Sequence, residues 1–349
     1  MAKEKKDAKT DYSAVLRKLR ENGPEQLYVL WGEEDYLRES YFDELKKLCA
    51  VSSSGFNYHR LSGTPPDFHA LSQAVEAVPF MGERSLIEFR NFDVNACKDE
   101  KAEMLKEIVS DLPDYATLVF LLPTGYEPDG RLTAMKTLKK LGTAIEFTAQ
   151  SQNLLIKWIM RRFEAMGKSI GQRECEKLIF TSGALMTGLI PEIEKIGCFA
   201  AGGAVTAEDI DAVAQKIPEA SVFEMTDRLS EKNFDKAAAL LGELLQSGEH
   251  PIKLLAMIGL QMRRLYAARL ALDGGLGRDY LMESCKISYG FLADKLLNCA
   301  KGFTEVQLAA AVVQCAEADY LMKSSSEDDE NILKELLLRM AVGDRHDKG

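Results

Sequence analysis

Short apolar runs rich in β-branched and aromatic residues alternate with amphipathic stretches of helical period along the first part of the chain. Five runs have the length of strands, at 27–31, 56–61, 85–89, 117–122 and 143–147. Five stretches have the period of helices, at 12–21, 36–49, 67–78, 101–110 and 131–141. Because such alternation requires crossover connections, residues 1–149 are predicted to form an α/β domain with a mostly parallel sheet covered on both faces.

Beyond residue 149 only the helical period remains. Leu155, Ile159 and Phe163 recur four residues apart and predict one helix. Further helices are predicted at 172–181, 185–199 and 207–216, the last opened by a threonine and an aspartate at capping-box spacing. Residues 150–216 are therefore predicted to form a small all-helical domain.

Longer helical patterns occupy the rest of the chain. Pro251 stands in the first turn of a helix that runs to a stop at Asp273 and two glycines. Thr304 and Gln307 have the spacing of a capping box that opens another long helix. Residues 217–342 are therefore predicted to form a C-terminal helical bundle. The last residues, 343–349, are predicted to be a disordered tail.

Composition narrows the classes of function. The chain has 349 residues, of which 46% are hydrophobic and 28% charged, with a net charge of −10. No apolar run approaches the roughly 20 residues that a membrane span needs, and the lysine-rich N-terminus lacks the apolar segment of a signal peptide. We therefore expect a cytoplasmic protein with no membrane contact. The negative charge argues against autonomous nucleic-acid binding.

The predicted strand that ends at Trp31 is followed by a glycine and three acids, Gly32, Glu33, Glu34 and Asp35. The order strand, loop, helix is the frame in which P-loop proteins hold a nucleotide. A working loop reads G-x-x-x-x-G-K-[ST], which supplies backbone N–H groups, a lysine and a hydroxyl for Mg²⁺. Three carboxylates stand where phosphates would sit, so we interpret the turn as a degenerate nucleotide site that does not bind. An ordinary turn with acids at a helix N-terminus is the alternative that local sequence favours.

An ATPase also needs a carboxylate pair that closes an apolar strand. The two suitable strands end in Arg90-Asn91 and Pro123-Thr124, and neither ends in such a pair. Glu88 is interpreted as a solvent-facing residue of an alternating strand. No catalytic residue, no cofactor and no ATP hydrolysis are expected, although a divergent ATPase remains the enzyme alternative.

Metal binding is not expected either. The seven cysteines include no C-x-x-C pair, and the four histidines show no H-E-x-x-H or similar spacing.

Four apolar residues, Val78, Pro79, Phe80 and Met81, stand at a predicted helix-to-strand turn, where Pro79 ends the helix. Turns are usually polar. A bulky pair held at a turn can insert into a pocket of a partner protein, as binding hot spots do. The alternative, which local sequence favours, is that Val78 and Phe80 close the bottom of the sheet.

A basic stretch of one predicted helix contains Arg131, Lys136, Lys139 and Lys140. These cations are suited to phosphate contacts, and Arg131, Lys136 and Lys140 are the candidate DNA contacts. The three lysines, in the last turn of the helix, equally complement the negative end of the helix dipole, which is the interpretation we favour.

Four stretches, in their order and spacing, resemble the delta-subunit family of bacterial DNA polymerase III. They are YVLWGEEDYL (28–37), AVPFMGER (77–84), LVFLLP (118–123) and SVFEMTDRL (221–229). The resemblance runs from about residue 25 to 342. It implies an AAA+-like first domain without a functional P-loop, a lid-type helical domain, and a C-terminal bundle that joins the collar of a clamp loader.

The resemblance also implies a non-catalytic role in the polymerase holoenzyme. Delta subunits bind the ring-shaped sliding clamp, the beta subunit, and open or hold open its ring. They work in a hetero-pentamer whose motor subunits hydrolyse ATP and which also contains a delta-prime subunit, so that the clamp is loaded on primed DNA. A stand-alone DNA-binding scaffold is a third class of function, which the net charge supports poorly.

In that family the clamp-binding element lies between a helix and the next strand and ends in two large apolar residues, commonly Leu-Phe. Pro79 and Phe80 fall on this pair, between Val78 and Met81. Proline replaces the leucine here, and no glutamine stands at the start of the element. The resemblance thus implies clamp binding by these four residues, with Phe80 as the anchor.

Overall fold

The structure is a computed structural model that describes residues 11–51, 55–287 and 289–342. The described chain folds as two compact units. One contains the residues up to Gln150 together with Leu185–Thr187, and the other contains Ser151–Ala184 and the residues from Gly188 onward. The tail predicted at 343–349 lies outside the described residues.

The first unit is built on five strands, all parallel, in the order β2-β3-β4-β1-β5. They are β1 (Leu27–Gly32), β2 (Tyr58–Ser62), β3 (Ser85–Arg90), β4 (Ala116–Leu121) and β5 (Thr143–Phe147). The predicted parallel α/β domain is confirmed. One boundary was wrong: Phe56 precedes β2 instead of opening it, because Phe56 and Asn57 form a turn and the strand begins at Tyr58.

Helices cover both faces of this sheet. They are α1 (Tyr12–Asn22), α2 (Asp35–Leu48), α3 (Phe68–Glu76), α4 (Asp99–Ser110) and α5 (Thr133–Leu141). The step from β1 to β2 runs along the sheet in the opposite direction to the later steps. Since each crossover is right-handed, α2 lies on one face and α3, α4 and α5 lie on the other.

The core follows this division. On the face of α3, α4 and α5, the rings of Phe89, Phe92 and Phe120 lie 5.3–5.5 Å apart and are fully buried. On the other face the ring of Tyr41 from α2 packs edge-on against Tyr28 of β1. Burial on both faces explains why the strands read as continuous apolar runs.

The second unit is mainly helical. Its helices are α6 (Gln152–Ala165), α7 (Gln172–Ser182), α8 (Met186–Phe199), α9 (Ala207–Val213), α10 (Pro218–Ser230), α11 (Phe234–Gln246), α12 (Pro251–Asp273), α13 (Arg278–Ser284), α14 (Gly290–Ala300), α15 (Glu305–Ser324) and α16 (Asp329–Val342). The first residues of α8 cluster with the first unit. Both predicted capping boxes are present, at Thr206 with Asp209 and at Thr304 with Gln307.

Residues 150–216 are mainly helical, as predicted, but they also contain one short ribbon that the all-helical expectation did not include. Ser169–Ile170 (β6) and Ala204–Val205 (β7) pair as a parallel two-stranded ribbon. Each strand has only two residues, which is too short for the two-residue period of a strand to show in the sequence.

One aromatic cluster joins the elements of the second unit. The ring of Phe180 from α7 lies 5.4 Å from that of Phe223 in α10 and 5.6 Å from that of Phe291 in α14. The two segments predicted as separate domains, 150–216 and 217–342, therefore share packed side chains. Their division near residue 217 stays a prediction.

Candidate functional site

The turn that resembles a phosphate-binding loop joins β1 to α2 at the carboxyl edge of the sheet. Gly32 has φ +123°, and a Cβ there would lie 2.2 Å from the carbonyl oxygen of Phe147. Only glycine fits this close approach of two backbones. The turn is thus held tightly against the end of β5.

All three acids of the turn are engaged within the chain. Glu33 Oε1 accepts a hydrogen bond from the backbone N–H of Ala149 (3.0 Å), and Glu34 Oε2 accepts one from Met186 (3.1 Å). Asp35 accepts one from the Thr124 hydroxyl (2.7 Å) and lies 2.6 Å from Arg38 Nη2. The carboxylates therefore fill the turn with fixed negative charge.

Two backbone N–H groups of the turn are also hydrogen-bonded within the chain. The N–H of Glu34 donates to Phe147 O (3.0 Å) and that of Asp35 to Glu33 O (3.2 Å). A phosphate-binding loop works by pointing free N–H groups at the anion. The buried Arg38 donates instead to Leu122 O (3.1 Å) and pairs with Asp35. This geometry opposes phosphate binding by the turn.

Glu34 is the most unusual of these acids because its side chain is fully buried. Its Oε1 atom has no hydrogen-bond partner among the described residues. Burial, supported by the neighbouring negative charges of Asp35 and Glu33, raises the pKa of Glu34 to about 6. Its ionised form therefore costs the folded protein free energy at neutral pH.

This cost predicts a pH signature for Glu34→Gln. A carboxyl whose pKa is higher in the folded than in the unfolded chain destabilises the fold above that pKa, and the penalty disappears as the pH falls. Relative to Glu34→Gln, the wild-type free energy of unfolding should rise by about 2 kcal/mol between about pH 8 and about pH 4. Urea unfolding followed by Trp31 fluorescence, in a Trp158→Phe background, measures it. A pH-independent difference would contradict the assignment.

Glu88 is buried, so its interpretation as a solvent-facing strand residue was wrong. It accepts hydrogen bonds from the Tyr58 hydroxyl and from Arg90 Nε (2.5 Å), and Arg60 Nε lies 3.2 Å away. Arg90 in turn makes a two-fold ion pair with Glu39 of α2. Alternation places Glu88 on the α2 face, where Arg60 of the edge strand β2 and Arg90 of β3 itself reach it. The carboxylate is thus a structural anchor between β3 and α2.

The four apolar residues predicted for partner binding lie between α3 and β3, at the amino edge of the sheet. They are therefore at the edge opposite to the β1–α2 turn. Val78, Phe80 and Met81 are exposed by 75%, 62% and 94%. The alternative in which Val78 and Phe80 close the bottom of the sheet is wrong, because neither side chain is buried.

A second exposed aromatic, Phe56, stands beside this turn with 83% of its surface exposed. We call Phe56 together with Val78, Pro79, Phe80 and Met81 the apolar tip. The rings of Phe56 and Phe80 pack edge to face, with centroids 5.6 Å apart. Sequence reasoning missed Phe56, since its aromatic character read as part of a strand.

The basic stretch does not form one patch on a single helix, because α5 begins only at Thr133. Arg131 precedes the helix and forms an ion pair with Asp129 (2.9 Å). Lys139 lies over the ring of Trp31. Lys136 and Lys140 are exposed. Their role in DNA contact stays a prediction.

No group of three or more histidine, cysteine, aspartate or glutamate side chains could hold a metal ion within residues 11–51, 55–287 and 289–342. Over the same ranges, none of the helices combines the length and the apolar character of a membrane span.

Two family models match the chain. The model of the DNA polymerase III delta subunit matches residues 28–148, and the model of its C-terminal domain matches residues 219–340. The chain belongs to the delta-subunit family of bacterial DNA polymerase III. The matches include both the β1–α2 turn and the apolar residues 78–81, so these features lie within the delta-family region.

Two relatives extend over nearly the whole chain. DNA polymerase III subunit delta of Bacillus subtilis is 25% identical over 93% of this chain and 96% of the relative. The probable DNA polymerase III subunit delta of Aquifex aeolicus is 22% identical over 90% of each chain.

Two solved structures are also similar to the chain. The Bacillus subtilis DNA clamp loader delta protein is 22% identical, with a TM-score of 0.47, over 95% of this chain and 99% of that one. The Thermotoga maritima RuvB Holliday junction branch migration motor is 14% identical, with a TM-score of 0.42, over 68% of this chain and 85% of that one.

Proposed function

We propose that this chain is the clamp-binding delta subunit of a bacterial clamp loader. It binds the sliding clamp through Val78, Pro79, Phe80 and Met81 and opens or holds open one interface of the ring. It acts in the cytoplasm, in a hetero-pentamer with the motor and delta-prime subunits, which loads the clamp on primed DNA. Its helical bundle, residues 217–342, contributes to the collar.

The observation that carries this proposal is the exposure of the apolar tip. Phe80 and Met81 are large, exposed and adjacent on one turn. They leave apolar surface in contact with water, and a partner protein can cover that surface. The tip lies on loops at the amino edge of the sheet, and its exposed apolar side chains suit insertion into a cavity on another protein. Family membership makes the sliding clamp the partner with the strongest support.

A binding role without catalysis agrees with the filled β1–α2 turn. We expect calorimetry of the isolated chain with ATP and Mg²⁺ to detect no micromolar binding. The carboxylates of Glu33, Glu34 and Asp35 repel phosphate, and the N–H groups of Glu34 and Asp35 are already hydrogen-bonded. The motor subunit of the same organism is the positive control. Micromolar binding would favour the divergent ATPase instead.

A pull-down with the clamp and the motor subunit of the same organism, with and without ATP, tests the proposal. The isolated chain should retain the clamp in the absence of ATP, since its tip is exposed without any nucleotide. Failure to retain the clamp under both conditions would contradict the proposal. If the isolated chain does not bind the clamp but binds DNA in a salt-dependent way, the stand-alone DNA-binding scaffold would be favoured.

A further inference from the structure

We propose that the clamp-binding surface is built from two loops: Phe56 is a second aromatic anchor beside Phe80, and Asn57 is a positioning residue that holds the turn in its binding conformation. This inference rests on the proposed function and specifies the surface that performs it. Phe56 and Asn57 lie in the loop before β2, more than 20 residues from Phe80 in sequence, and outside the stretch that resembles the family's binding element.

The aromatic pair is the first argument. The Phe56 and Phe80 rings meet at an interplanar angle of 69°, the edge-to-face arrangement that aromatic pairs prefer. Both nevertheless keep most of their surface in water. Two packed aromatic rings that stay exposed form one continuous apolar surface, to which a partner protein can bind.

The side chain of Asn57 is the second argument, because it makes both hydrogen bonds that a peptide unit would make. Its Oδ1 accepts from the backbone N–H of Phe80 (2.6 Å), and its Nδ2 donates to the Phe80 carbonyl oxygen (3.0 Å). The turn is thus fixed through the backbone of the residue that carries the main anchor.

The rest of the turn has a backbone that needs such a brace. Met81 has φ +49°, a left-handed conformation that residues other than glycine adopt at a cost. Gly82 leaves room for the amide, since a Cβ there would lie 2.5 Å from Asn57 Nδ2. The two hydrogen bonds of Asn57 hold Phe80 next to this strained position. Because the turn is already ordered in the free chain, it loses less conformational entropy when a partner binds.

The surface fits a partner of defined chemistry. The paired rings of Phe56 and Phe80, together with the exposed side chains of Val78 and Met81, require an apolar cavity wide enough to accept both rings. A pocket made for a single side chain would leave Phe56 in water. The clamp cavity should therefore contact Phe56 as well as Phe80.

A double-mutant cycle tests the second anchor. The variants are Phe56→Ala, Phe80→Ala and the pair, with full-length protein and the clamp of the same organism in a binding assay. Phe56→Ala should weaken clamp binding about tenfold, as truncation of an interface aromatic often does. Because the rings touch, the double variant should lose less than the product of the single losses. Phe199→Ala, which truncates an exposed aromatic of the second unit, should leave affinity unchanged.

The outcomes separate the inference from the proposed function. Wild-type affinity in Phe56→Ala together with a loss in Phe80→Ala overturns the second anchor but leaves clamp binding by Phe80 intact. Wild-type affinity in both overturns the proposed function and the inference together.

Asn57→Ala tests the positioning role. It should weaken clamp binding about fivefold by restoring freedom to the turn, with thermal stability unchanged. Hydrogen exchange of the Phe80 amide should become faster, which a loss of folding elsewhere would not produce selectively. The matched control is Asn95→Ala, since the Asn95 amide also bridges two backbone groups, at Glu127 and Asp129, away from the tip. Wild-type affinity in Asn57→Ala overturns the positioning role.

Discussion

Replacing Phe80 by alanine is expected to weaken binding of the sliding clamp at least tenfold. Truncation of a central aromatic hot spot often costs about 2 kcal/mol or more, because the ring fills a desolvated pocket of the partner. Phe80 is exposed in the free chain, so its truncation removes little packing from the fold. The helical content and thermal stability should therefore match those of the wild type.

Surface plasmon resonance with immobilised clamp measures this loss, and the effect should lie mainly in the dissociation rate. Phe199→Ala is the matched control, since Phe199 is also an exposed phenylalanine but lies on α8 of the second unit. An affinity of Phe80→Ala equal to that of the wild type would remove Phe80 as the anchor. A loss in both variants would point to a general effect of surface apolarity.

The sheet was predictable because its strands are buried on both faces. A short apolar run such as 117–122 then predicts a buried strand, and glycine and proline mark the ends of such runs. The site was less predictable. The contacts of Phe56 and Asn57 with Phe80 join loops that are distant in sequence, and no local period reports such contacts.

The burial of a charged side chain, Glu88, also could not be predicted from the local sequence pattern. Glu88 alternates with apolar neighbours, and alternation normally marks a solvent face. The face is instead covered by α2, whose Glu39 holds Arg90 in place. The burial of Glu88 thus depends on its partners Tyr58, Arg60 and Arg90. Nothing in the local sequence distinguishes these three positions from ordinary strand residues.

Two buried carboxyls of the first unit should consequently respond to pH in opposite ways. Burial raises the pKa of Glu34, whose carboxylate accepts backbone hydrogen bonds from Met186 and Tyr36 but pairs with no cation in the described part of the chain. Burial would likewise raise the pKa of Glu88, but hydrogen bonds from Tyr58 and Arg90 outweigh it and lower that pKa. Glu34 therefore opposes folding at neutral pH, whereas Glu88 supports it.

Glu88→Gln is expected to lower the free energy of unfolding of the first unit by about 2 kcal/mol at neutral pH, because the charge-assisted hydrogen bonds that Tyr58 and Arg90 donate to the buried carboxylate are lost. The sign of the pH dependence follows from the lowered pKa. The stabilisation by Glu88 is present above the pKa of the unfolded chain and is lost as the pH falls through the folded value. The difference between wild type and variant should therefore shrink in acid, where that for Glu34→Gln changes in the opposite sense.

Urea unfolding followed by Trp31 fluorescence in the Trp158→Phe background measures this difference, because Trp31 lies in β1 and is the remaining tryptophan. Glu103→Gln is the matched control, since Glu103 pairs with Lys106 on the surface and such pairs contribute less than about 1 kcal/mol. Equal losses in the two variants would contradict the anchoring role of Glu88. A larger loss for Glu88→Gln that persists unchanged in acid would assign the effect to packing, because only an ionised carboxylate can lose its stabilisation by protonation.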